Sequence, residues 1–175
     1  MTRPRVLLPA ALIGLVVLLL IAPPAGAIIP VPQSREEFVS IIAGGRAGKM
    51  ETFTVDRGLD EVYRTFESLT TPCLDKKIER TANVGYVEHS SSDYNPTLKR
   101  MGHDRAEFSL QVVHFPLGTR EKTPPGGMYV MAADLKRAGA RTEIVIYRPT
   151  IGYKNISESL TEWAEGGSTD CPKLR

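Results

Sequence analysis

Two cysteines, Cys73 and Cys171, are all that the 175-residue chain contains, and any fold it adopts has to account for that pair. In an oxidising compartment an even cysteine count reads as a disulfide framework, and two cysteines allow a single connectivity. The bridge would close a loop of almost a hundred residues, which the chain-entropy model values at about 4–5 kcal/mol. A reactive or metal-bound thiol pair is the competing reading. It is disfavoured because neither cysteine has a nearby histidine or second cysteine at ligand spacing.

The first 27 residues indicate the compartment. Arg3 and Arg5 form a basic head, Ala10 to Ala22 an apolar run, and Ala25-Gly26-Ala27 a small-residue triplet behind Pro23-Pro24. This is the layout of a secretory signal peptide cleaved after Ala27, so a secreted or periplasmic protein is expected. The alternative is a retained N-terminal anchor. A spanning helix wants about 20 predominantly apolar residues, whereas 13 lie between Pro9 and Pro23, within the roughly 7–15 of a signal-peptide core. Membrane contact is expected only if the leader is retained.

Cleavage would leave 148 residues, enough to bury one core. The whole chain carries 22 Lys+Arg against 20 Asp+Glu, so loss of Arg3 and Arg5 makes the remainder neutral. The basic doublets Lys76-Lys77, Lys99-Arg100 and Lys136-Arg137 are scattered among acids and read as solvated surface. Nucleic acid is therefore not an expected partner.

After the leader, residues 28–49 read as an N-terminal extension with a short helix. Ser34-Arg35-Glu36-Glu37 has the form of a capping box, and Gly44-Gly45 stops the helix. Residues 50–175 read as a single α+β domain. Met50 to Val55 is a strand. Leu59, Val62, Tyr63, Phe66 and Leu69 recur at helical spacing, giving a helix that Pro72 ends just before Cys73. Strands are expected over 78–88, 106–115, 128–135 and 142–148, with the Ser- and Asn-rich stretch 89–96 as a turn. A last helix begins near Asn155, with Ile156, Leu160, Trp163 and Ala164 on its buried stripe, and Gly166-Gly167 ends it. The expected architecture is an antiparallel sheet of four to five strands with two helices on one face, clamped by the disulfide. Tyr63, Phe66, Phe108, Tyr129, Tyr147 and Trp163 are expected to share a core.

Chemical motifs are sparse. Ala43 to Met50 approaches a phosphate-binding loop but lacks the first glycine and the final hydroxyl. His89, His103 and His114 never stand at i, i+3 or i, i+4 to one another, so no local zinc set exists. Asp134 lies in an otherwise apolar strand near Arg148 and reads as an outward-facing residue near the strand end. No catalytic, metal or cofactor residues are assigned. The long polar loop from Pro116 to Gly127 is the first choice for a binding surface, through Arg120, Lys122, Pro124 and Pro125.

The run Glu51-Thr52-Phe53-Thr54-Val55, then Asp56-Arg57-Gly58, then Leu59 to Phe66 resembles the opening strand and helix of helix-grip domains. The resemblance extends in element order over residues 50–166. It implies a binding or scaffold role, since relatives of that architecture bind lipids and small molecules, and one is a module of a bacterial outer-membrane assembly lipoprotein. The short last helix and the missing attachment cysteine depart from the pattern, and no functional residue is carried over. The expectation is an exported, non-enzymatic binding or scaffold domain whose partner is a protein or a small apolar ligand. A carrier of small apolar ligands is the first alternative. A hydrolase assembling Asp134, His89 or His103 is the second.

Overall fold

Alternation of apolar and polar residues in the middle of the chain yields one antiparallel sheet, and helical spacing on either side of it yields the helices that cover it. The computed structural model describes residues 31–45, 47–83, 87–115 and 123–174; the leader assigned to 1–27 lies outside them. The elements are α1 (Arg35–Ala43), β1 (Gly48–Val55), α2 (Leu59–Leu74), β2 (Lys76–Asn83), β3 (Val87–Arg100), β4 (Arg105–Phe115), β5 (Met128–Ala138), β6 (Arg141–Pro149) and α3 (Lys154–Glu165). The strand order is β1-β6-β5-β4-β3-β2, antiparallel throughout.

The described sheet has six strands where four to five were expected. The extra strand is β3, which occupies the stretch read as a turn. Its polar residues are compatible with pairing because they alternate: Tyr94 and Pro96 lie opposite core residues Val112 and Leu110, while Asp93 and Asn95 face away. Pro96 falls beyond Tyr94, where pairing with β2 stops. At such an edge a missing N–H can face solvent.

Helices α2 and α3 cover one face. Leu59, Val62, Phe66 and Leu74 of α2 and Ile156, Leu160 and Trp163 of α3 pack on Phe108, Leu110, Leu135, Ile144 and Ile146. Phe66 stands at the centre, edge-on to Trp163 at 6.1 Å and to Phe108 at 6.3 Å. Pro72 does not end α2, which runs on to Leu74 with Cys73 and Leu74 buried. Burial of that last turn outweighs the single ladder bond that a proline forfeits.

The third helix, α1, lies on the opposite face. Phe38 and Ile42 form a second core with Ala132 and Tyr147, joined by Tyr129. The expected common aromatic core is thus divided by the sheet. The contact is close: a β-carbon on Gly48 would sit 2.3 Å from Ile42 Cδ1 and 2.5 Å from the Arg148 carbonyl oxygen. The Ser34 cap is formed, its Oγ accepting from the Glu37 N–H at 3.2 Å. The return arm shifts by one residue, Glu37 Oε2 accepting from the Gln33 N–H at 2.7 Å.

Arg57, in the turn before α2, closes the far end of α3. Its Nη1 donates to the Trp163 and Ala164 carbonyls, both at 2.9 Å, and its other nitrogens reach Glu61 and Thr65. A cation on the last carbonyls of a helix also opposes the dipole there. Arg57→Ala is expected to cost about 2 kcal/mol, measured by urea unfolding. Arg57→Lys should recover less than half of it, because an ammonium lacks the planar fork.

Candidate functional site

The chain beyond α3 turns back along that helix. Trp163 Nε1 donates to the Asp170 carbonyl at 3.3 Å, and Asn155 Nδ2 donates to the Lys173 carbonyl. Between these points Cys171 is bonded to Cys73, in the last turn of α2, with a Cα–Cα distance of 5.0 Å. The bridge thus ties the tail to α2, rather than joining two helix ends. Asn155 is not the cap of α3 as expected: Tyr153 holds that position, and the Asn155 side chain serves the tail instead.

Where the tail reaches the start of α3, the helix-covered core opens into a cleft of about 510 Å³. Tyr94 from β3 and Ile156 from α3 are its buried residues, each 2% exposed. Tyr153 and Leu174, both half-buried, supply further apolar lining. Lys154, Glu158 and Lys173 are its charged residues, with Lys154 Nζ 2.7 Å from Glu158 Oε1. Small-molecule sites usually occupy about 300–1,000 Å³. A second cleft, about 280 Å³ beside α1, is lined mostly by polar groups such as Lys99, Glu107, Ser109 and Gln111.

Tyr153 is the one non-glycine residue with positive φ among the described residues, at φ 57° and ψ 8°. This left-handed conformation costs a side-chain-bearing residue about 1–2 kcal/mol. Such strain clusters at ligand clamps and active sites. Here the residue both caps α3 and lines the cleft.

Two phenols are held protonated beyond their ordinary range. Burial, then the nearby Tyr94, pushes Tyr153 up to about 12. On the other face burial, then the Asp134 carboxylate, pushes Tyr147 up to about 12. Below pH 10 both are neutral in folded and unfolded chains alike. Above it the unfolded chain ionises first, so stability should fall as pH rises from 10 to 12. Absorbance titration at 295 nm should show two groups near pH 12 that Y147F and Y153F remove one at a time.

The loop chosen from the sequence behaves differently. Arg120 and Lys122 lie outside the described residues. Pro124 and Pro125 begin a turn closed by Gly127 N–H to the Pro124 carbonyl at 3.0 Å. Proline followed by Gly126 at φ 88° is the pattern of a type II turn. Gln111 Nε2 donates to the Pro125 and Gly127 carbonyls at 2.9 and 2.8 Å, and Asn95 Nδ2 to that of Gly126 at 3.0 Å. The turn is latched to the sheet, and its carbonyls are taken.

The remaining candidates do not converge. His89 meets Thr81 and His114 meets Ser92, while His103 lies past the opposite end of β3 from His89, where its carbonyl accepts from Arg100 and Arg137. Asp134 does not face open solvent. It sits beneath α1, bound by Arg35 and by the Tyr147 hydroxyl at 3.1 Å, with its side chain 30% exposed. Arg148 points to the other face and pairs with Glu51 at 2.6 Å. Among the described residues no three potential metal ligands cluster, and no helix is long and apolar enough to cross a membrane. The cleft escaped the sequence reading because residues from β3, α3 and the tail meet only in the fold. Nothing local marks it: Lys154 and Lys173 stand 19 positions apart and belong to no motif.

Compared with known protein families, with curated proteins and with solved structures, the chain matches none.

Proposed function

We propose that the chain is an exported, non-enzymatic binding domain that holds a small ligand in the cleft between Tyr94, Tyr153 and the disulfide-held tail. The observation that carries this reading is the opening of the core at that cleft, where buried Tyr94 and Ile156 border a space of about 510 Å³. The disulfide supports an oxidising destination. The hydrolase alternative needed two of Asp134, His89 and His103 within hydrogen-bond reach of each other or of a shared pocket; among the described residues no hydrogen bond links any two of them, and His89 and Asp134 line separate clefts.

Native mass spectrometry of the oxidised protein should show a co-purifying species released on unfolding and absent from Leu174→Asp. A clean apo mass, with no amide shift near Tyr153 on titration with apolar fragments, would sink the reading. N-terminal sequencing of exported material should begin at Ile28.

A further inference from the structure

Charge and apolar surface are arranged unevenly around the cleft. Tyr94 and Ile156 are buried, Tyr153 and Leu174 are half-buried, and the charged residues are exposed at the rim. Among the described lining residues Lys154 and Lys173 supply two positive charges and Glu158 one negative, a balance of one positive charge. Lys154 and Glu158 form an exposed i,i+4 pair. Such pairs are worth only about 0.3–0.5 kcal/mol, so the ammonium is available to a better partner. Lys173 has its carbonyl held by Asn155, which fixes the backbone from which its side chain extends.

We propose that the cleft takes a small amphipathic acid: an aliphatic or aromatic body against Tyr94, Tyr153, Ile156 and Leu174, and one carboxylate at the rim between Lys154 and Lys173. This rests on the cleft being the binding site. A monoanion matches the rim's balance of charge. A cationic amphiphile would meet two ammoniums, and a neutral one would leave Lys154 with only its exposed Glu158 partner. The Tyr153 phenol, kept protonated, can donate to a carboxylate but offers it no opposing charge. The body is excluded from water and the head is not, which suits a molecule with two unlike ends.

The test uses decanoate and 1-decanol, matched in chain length and different in head, titrated into the oxidised protein and followed by amide NMR. Decanoate should shift residues 153–158 and 173–174 and bind about tenfold more tightly than decanol, the gain of one charge-assisted contact. K154Q/K173Q should abolish that preference, decanoate then binding no more tightly than decanol, with decanol still shifting residues 153–158. Both lysines are exposed, so the variant is expected to fold. Equal affinity for the two probes, or a preference that survives the double substitution, would overturn the inference and leave the cleft as an apolar site. Absence of shifts from either probe, or shifts confined to other surfaces, would overturn both the inference and the cleft reading beneath it.

Discussion

C73A/C171S should unfold with a free energy about 4–5 kcal/mol lower than the oxidised protein. The two cysteines are 98 positions apart, so the bridge removes a large share of the freedom of the unfolded chain. Urea titration read by far-UV circular dichroism measures the difference. The effect on the cleft should be greater than stability alone implies. With the bridge gone, the tail keeps only the hydrogen bonds from Trp163 and Asn155 and the packing of Pro172 and Leu174, and the wall carrying Lys173 and Leu174 loses its covalent anchor. Trypsin should then cut after Lys173 under conditions that leave the oxidised protein intact. A loss below about 1 kcal/mol would refute the loop-closure account.

Trp163→Ala is expected to cost about 3–5 kcal/mol. The indole is fully buried and joins three parts of the molecule. It stacks edge-on against Phe66 of α2, which in turn meets Phe108 of β4, and its N–H holds the tail at Asp170. Truncation would leave a cavity on the line between both helices and the sheet. Trp163→Phe keeps most of the apolar volume and forfeits the N–H contact, so a loss of about 1–2 kcal/mol is expected. Circular dichroism is the suitable readout, because Trp163 is the chain's single tryptophan. If alanine and phenylalanine variants were equally stable, packing at this point would be contributing nothing.

Much of the architecture was readable from residue order. The stripe Leu59, Val62, Phe66 marks α2, and Phe108, Leu110, Val112 mark β4, because each lies along one face of a regular element. The cysteine pair followed from counting. What escaped was set by distant partners. Ser91, Asp93 and Asn95 look like a turn in isolation; Ser91 and Asp93 become strand positions only when β2 and β4 supply ladders on either side, and Asn95 only when β4 supplies one. The face taken by α1 depends on Arg35 finding Asp134, about a hundred positions away. Arg57 looked like part of a turn, and its contacts with Trp163 and Ala164 depend on the antiparallel packing of α2 and α3. The cleft was least accessible, since its lysines resemble any other solvated lysines until the tail brings Lys173 beside α3.

The pairing of β1 with β6 has a kinetic consequence. Gly48 meets Pro149 and Val55 meets Thr142, so an early segment waits for a late one. The hairpins from β2 to β6 can zip locally, but the first strand has no neighbour until almost the whole polypeptide has emerged. Contacts so remote in sequence slow the search for the native state. The rate of folding should therefore be governed by docking of this outermost ribbon, with the helices quick to form and slow to be locked in place.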